Sequence, residues 1–435
     1  MSTSASTDAV VYDPYAYEIH EDPYPTYERL REEAPIYHNE ELGFWALSRH
    51  ADVIEGFRDF ERFSNSHGVS LDPSASGPHA HKTMSFLGMD PPMHGRMRGL
   101  VSKGFTPRRV AEQEPRIRQI ARGYIDQMRE SPDDLDFISD FAGRLPMDVI
   151  SDLMGVPVED REELRRLSDL LVHREEGIRD VPPEGAAAAM ELVVYYSDML
   201  AQRRDRPTDD LTSALLDVVD PDGDRLSDDE IIGFLFLMVV AGNETTTKLL
   251  ANAWYWGWRN PDQRAKPLAD PSRIPMWIEE TLRYDTSSQM LGRITLVDVE
   301  CHDRVIPAGE RVLLLAGSAN RDPRVFSRPD VYDLDRPEPL PLLASFGFGR
   351  HFCLGASLAR LEARVALEEL VAAFSDYDVD TAGATRVHSV NVRGFATLPI
   401  TVVARAAGSG AERTGVVAGT STSADDADNT NRGDR

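Results

Sequence analysis

The stretch FGFGRHFCLG, residues 346–355, sets one of only two cysteines, Cys353, among glycines and aromatic rings. Gly347 and Gly349 let the backbone turn tightly and approach a planar ligand, and Phe346 offers a flat apolar surface beneath it. After Gly355 and the small Ala356, the residues Leu354, Leu358, Leu361 and Val365 recur at helical spacing. The pattern predicts a helix starting just past Cys353, whose free amides and dipole favour thiolate over thiol.

A lone cysteine is most often a buried structural one. That reading leaves the glycines, Arg350 and His351 unexplained. A single thiolate on a glycine platform, with no cysteine partner, suits axial ligation of haem iron, where sulfur pushes electron density toward the metal. Cys353 is therefore the candidate metal ligand. Cys301 lies in an unrelated context and is read as a spectator, so neither a disulfide framework nor a multi-cysteine zinc site is expected.

The rest of the chain sets the bounds. Its 435 residues can bury one large core, and no break in composition between about residues 20 and 405 marks a linker. The reading is a flexible N-terminus at 1–14, one domain at 15–405 and a disordered tail at 406–435, rich in Gly, Ser, Thr, Asp and Ala. A net charge of −26 argues against a nucleic-acid partner, because phosphate backbones demand basic patches. The opening residues carry no basic, apolar leader, and IIGFLFLMVVAG at 231–242 is too short to span a bilayer. A monomeric cytoplasmic protein without a membrane anchor is expected.

Helical periodicity appears over residues 25–33, 108–129 and 362–374, and short strand signals over 36–38, 44–47, 311–315, 391–395 and 400–403. Strands and helices do not alternate and no repeat is present, so the expected fold is mainly α with a minor β region. A long helix starts at SDDE, where Ser227 and Glu230 make a capping box, and is apolar all round over 234–240. It then turns polar at AGNETTT, residues 241–247. Thr245 could simply bond back to the carbonyl of Ala241 and bend the helix. Alternatively, Gly242 clears space for a flat ligand, a widened turn admits a small molecule such as dioxygen, and Glu244 with Thr245 relays protons.

These stretches together resemble the cytochrome P450 monooxygenases. FGFGRHFCLG is similar to the family's haem-binding loop at every defining position, with His351 at the basic one. AGNETT resembles its central-helix motif, EETLR supplies Glu280 and Arg283, and Arg336 in DLDRP stands where the family's partner arginine lies. Taken alone, Glu280 and Arg283 would be an exposed ion pair worth roughly 0.2 to 0.5 kcal/mol. The resemblance, over residues 15–405, makes them a buried network supporting the loop.

The resemblance further implies the P450 fold, with haem b between the central helix and the cysteine loop. Its propionates would meet His94, Arg98, Arg293 and His351, and Ala241, Gly242, Phe346, Gly347, Gly349, Cys353 and Gly355 would complete the cofactor site. Cys353, Glu244 and Thr245 are the implied catalytic residues. Val240, Ala241, Met290, Leu291 and Phe395 would line a pocket for an apolar lipid, steroid, terpene or polyketide, into which one atom of O2 is inserted. No dinucleotide fingerprint appears, so electrons are expected from a ferredoxin and its NAD(P)H-dependent reductase. That ferredoxin would dock on Lys103, Arg108, Arg109, Arg350, Arg360 and Arg364, read as one basic patch. A haem sensor or carrier and a peroxide-driven peroxygenase are the competing functions.

Overall fold

The computed structural model describes residues 9–175, 177–220 and 223–405, so the expected tail at 406–435 lies outside the described residues. Residues 9–14 do not behave as a flexible N-terminus. Tyr12 is buried against Tyr27, Tyr37 and Phe44, and its backbone bonds to the Tyr37 hydroxyl and the Asn39 amide.

The centre of the molecule is the helix Asp228–Arg259, about 48 Å long at 1.5 Å per residue. Its capping box forms in both directions: Glu230 N donates to Ser227 Oγ at 3.2 Å and Ser227 N to Glu230 Oε2 at 2.9 Å. An all-round apolar surface demands cover, and the helices Arg144–Met154, Arg161–Val172, Pro183–Asp205, Ile274–Tyr284 and Ala356–Ala373 provide it.

Among the described residues the minor β region is a five-stranded sheet and three smaller ones. In the largest, Ile36–Asn39 and Phe44–Leu47 form the expected hairpin, turning through Gly43 at φ +66°. Phe44–Leu47 then pairs in parallel with Arg311–Leu314, which pairs antiparallel with Leu291–Thr295. This sheet delivers Leu291 and Arg293 to the cavity described below.

Two expected elements differ. The single helix read over 108–129 is two, Pro107–Ala111 and Glu114–Met128. The ring of Pro115 excludes the carbonyl of Ala111, four residues back, so the helix must restart. The strand read at 391–395 instead begins at Phe395 and ends at Thr397. Ser389 Oγ draws in the amides of Asn391 and Val392, a local turn that competes with extended pairing.

Candidate active site

The cysteine loop is held by its own backbone. Gly347 and Gly349 sit at φ +65° and +72°, and Cys353 N donates to Phe346 O at 3.0 Å. At Gly349 a side chain would also lie 3.0 Å from the carbonyl oxygen of Phe57, so the glycine serves both a turn and a close approach. The following helix spans Ala356–Ala373 and so starts just past Cys353. Cys353 is exposed and lines a cavity of about 1390 Å³, mouth included, together with Phe346, Gly347, His351 and Gly355. Burial pushes its thiol up, while the amides of Gly355 and Ala356 and the Arg98 guanidinium pull it down without overcoming burial. Holding a thiolate there calls for a cation in the cavity, and a coordinating metal deprotonates a thiol outright.

The four basic residues lie close together, three of them on the cavity. The rings of His94 and His351 lie 4.0 Å apart, and Arg98 and Arg293 line the same cavity. Burial, then neighbouring positive groups, lowers His351 to about 2 and His94 to about 4. Burial likewise takes Arg293 to about 10, with only Asp90 opposing it. His94 Nε2, Arg98 Nη1 and both His351 ring nitrogens are buried without a hydrogen-bond partner. Orphaned donors clustered on one wall are costly unless an anion meets them. With a soft cysteine ligand in the same cavity, they fit an iron porphyrin and its two propionates.

On the central helix, Ala241, Gly242 and Thr245 line the cavity. Thr245 Oγ1 donates to Ala241 O at 2.9 Å, so the back-bonded arrangement and the cavity-facing one coexist. The helix runs through this stretch as regular α-helix, without the expected widened turn. A methyl at Gly242 would rest 3.5 Å from Ile150, ordinary contact. Glu244 is not beside Thr245 in the cavity. It is 2% exposed and lies 3.1 Å from Lys248 Nζ.

The expected substrate-pocket residues divide. Ala241 and Leu291 line the cavity, whereas Val240, Met290 and Phe395 are not among its lining residues. Met290 packs in the cluster with Tyr12 and Tyr27, and Phe395 between Tyr255 and Arg386. Val69, Phe86, Leu87, Leu237 and Met238 take their place. Three of the six residues of the expected basic patch are paired with carboxylates: Arg108 with Glu112, Arg360 with Glu279, and Arg364 with Glu114 and Glu368.

Glu280 and Arg283 are fully buried, joined at 2.8 Å through two nitrogens, and Arg336 Nε meets the same carboxylate at 2.8 Å. Asn320 links this network to the cysteine loop, receiving Ala344 N at 2.7 Å and donating to Ser345 Oγ at 2.8 Å. Asp285 anchors a second buried cluster: Arg393 Nε, Trp256 Nε1 and the Tyr24 hydroxyl all donate to it. These groups outweigh burial and hold its carboxyl at about 2.

Sequence reasoning missed Glu362. It lines the cavity, is 4% exposed, and its Oε2 has no partner. The available signal was an acid four residues after Leu358, on the buried stripe of the helix. Burial alone raises this carboxyl well above its ordinary value, so the folded protein keeps a proton that the unfolded chain releases above about pH 4.3. Stability therefore falls as pH rises through that window, by about 1.4 kcal/mol per pH unit. The advantage of Glu362→Gln in urea unfolding should grow with that slope from pH 5 to 7. A pH-independent difference would show that Glu362 is ionised in the fold.

A family model described as Cytochrome P450 matches residues 273–389. Putative cytochrome P450 123 of Mycobacterium tuberculosis is 58% identical over 405 residues, 93% of this chain and 100% of that one. Vitamin D(3) 25-hydroxylase of Pseudonocardia autotrophica is 39% identical, over 92% of this chain and 99% of that protein. The structure of CYP109E1 from Bacillus megaterium in complex with testosterone aligns with a TM-score of 0.81 at 33% identity, covering 89% of this chain and 99% of that one.

Proposed function

The chain belongs to the cytochrome P450 family of haem-thiolate monooxygenases, and from that premise we propose that it oxidises an apolar substrate of about sterol size with electrons from a separate ferredoxin. The cavity carries this reading. One cavity joins the Cys353 loop and the basic side chains Arg98, Arg293 and His351 to a separate apolar wall, so surfaces suited to a cofactor and to a substrate face the same space. Away from the basic wall its lining is Val69, Phe86, Leu87, Leu237, Met238 and Leu291, relieved by Asn65, Thr286 and Ser287. The names of the vitamin D(3) 25-hydroxylase and the testosterone complex point the same way.

Bound haem supplies the activation of dioxygen. Cys353 would hold its iron, and His94, Arg98 and His351 would meet its propionates through the orphaned nitrogens described above, with Arg293 lining the same cavity. Thr245 keeps its hydroxyl in the cavity with the proton directed at Ala241 O, leaving the lone pairs of Oγ1 to accept. The aliphatic wall excludes water and orients substrate by shape rather than by hydrogen bonds.

A ferredoxin would meet the face around the cysteine loop, in a cytoplasmic setting and with the protein as a monomer. Phe352 is 40% exposed there, beside the exposed Arg350, and Arg360 and Arg364 border a surface groove with Ile278 and Leu361. Among the described residues no helix is long and apolar enough to cross a membrane.

The test is to load the protein with haem and titrate sterols, secosteroids and fatty acids while recording the spin-state spectrum. NADPH, ferredoxin and reductase should then drive product formation from whichever class shifts it. Peroxide alone supporting a comparable rate would favour the peroxygenase, and no product from either system would favour the sensor. Thr245→Ala should retain haem yet lower product formed per electron about tenfold, worth roughly 1.4 kcal/mol, and divert the difference to peroxide. Unchanged coupling would remove Thr245 from proton handling.

A further inference from the structure

A second group of ligand-type side chains lies outside the cavity. A carboxylate oxygen of Asp52, Cys301 Sγ and a ring nitrogen of His302 all lie within 4.8 Å of one another, the one such group of three among the described residues. They come from two elements. Asp52 stands in the first turn of the helix His50–Arg58. Cys301 ends the strand Val299–Cys301, and His302 opens the turn into Arg304–Ile306 at φ +53°, in the left-handed region. Cys301 packs against the apolar cluster that holds Val53, Ile54 and Phe57, which sets its sulfur beside the helix.

Charge and geometry select an ion for this trio. His302 Nε2 stands 2.9 Å from Asp52 Oδ2. Among the described residues no arginine or lysine pairs with Asp52, whereas Arg62 meets both Glu55 and Asp59 on the same face. The Asp52 side chain is 13% exposed, so a mostly covered carboxylate has an imidazole as its ion-pair partner. Around tetrahedral zinc, nitrogen and oxygen at roughly 2.0 to 2.1 Å and sulfur at roughly 2.3 Å stand about 3.3 to 3.6 Å apart. The His302–Asp52 contact needs to open by only about 0.4 Å to reach that spacing, and the His302 side chain is 39% exposed and free to turn. A thiolate and a carboxylate carry two negative charges, which one divalent cation cancels. Sulfur disfavours magnesium and calcium, while a mixed sulfur, nitrogen and oxygen set suits zinc.

We propose that Asp52, Cys301 and His302 bind one zinc ion, with water in the fourth position, and that this ion ties the helix His50–Arg58 to the hairpin 299–306. On binding, the S–H bond of Cys301 breaks, its proton leaves to solvent and a zinc–sulfur bond forms. The ion replaces the direct His302–Asp52 contact with one through itself. The far end of the same helix backs the cysteine loop: Phe57 lines the cavity, its carbonyl lies against Gly349, and the Arg58 guanidinium sits 4.3 Å over the Phe348 ring. The ion therefore fixes the helix behind the loop without adding a residue to the cavity.

The haem-loaded protein is the form to test, because Cys353 is then engaged and Cys301 is the free thiol. Calorimetric titration with zinc chloride should give one site per chain. X-ray absorption at the zinc edge should show one sulfur at about 2.3 Å with lighter ligands at about 2.0 Å. Cys301→Ser should remove the sulfur, and His302→Gln, on an exposed turn outside the core, should weaken zinc binding at least about tenfold. Zinc should also slow amide exchange across 50–58 and 299–306 in the wild type and not in His302→Gln. No zinc site, a zinc shell without sulfur, or binding unchanged in both variants overturns the metal site and leaves an ion pair beside an inert thiol. Bound zinc with unaltered exchange overturns the tie between helix and hairpin. None of these readouts depends on oxidation, so they stand whatever substrate the cavity takes.

Discussion

Cys353→Ser should fold and take up haem, but its reduced, carbon monoxide-bound form should lack the strongly red-shifted Soret band that a thiolate ligand gives the wild type. The loop supports this expectation of folding. The turns at Gly347 and Gly349 and the Cys353 N to Phe346 O bond use backbone alone, and serine keeps the size of the side chain. What changes is the ligand atom. A hydroxyl is a poorer donor than a thiolate and remains protonated near neutral pH, so the electronic push that favours O–O cleavage is lost. Turnover should fall by at least the roughly 10² to 10³ that removing one oxyanion-hole donor costs. Cys353→His separates ligand identity from ligand position, since it should retain iron while moving the band to the position of a nitrogen ligand. A red-shifted thiolate band surviving in either variant would move the ligand to Cys301, whose thiol burial and nearby carboxylates hold at about 11.

The features legible in the sequence are those whose cause lies within a few residues. The capping box at Ser227 and Glu230, the hairpin turning at Gly43 and the glycine-built cysteine loop are local chemistry, and each formed in the fold. Glu280 and Arg283 share one helix turn, so their pairing was legible; their burial came from Arg336 and five carbonyls, on segments 37 to 48 residues away from Arg283 and around Arg336 itself. Features set by distant packing were not legible. Asp285 draws on Tyr24 and Arg393, 261 and 108 residues away. The basic patch looked continuous because its neutralising partners Glu114 and Glu279 lie 250 and 81 residues from Arg364 and Arg360. Met290 and Phe395 are apolar and close in sequence to the cavity, yet apolarity alone cannot tell a pocket wall from the core behind it.

Glu280→Gln and Arg283→Ala should each cost about 3 to 5 kcal/mol, a large share of the roughly 5 to 15 kcal/mol that holds a domain folded. Glutamine preserves the size of Glu280 but strands two guanidiniums: Arg283, which is fully buried, and Arg336, whose side chain is 5% exposed. Arg283→Ala does the reverse, leaving the carboxylate with Arg336 and the Asp333 amide and freeing the carbonyls of Asn320 and Pro329. Arg336→Ala should cost less, since the two-nitrogen bond from Arg283 to Glu280 survives it. The penalty is desolvation rather than lost attraction, so the double variant Glu280→Met, Arg283→Leu should be more stable than the sum of the single costs predicts. Urea midpoints measure these differences, and haem retention reports on the loop, because Asn320 ties the segment Arg283 holds to Ala344 and Ser345. Midpoints within 1 kcal/mol of wild type, or strictly additive costs, would mean that the network neither pays for its burial nor carries the cysteine loop.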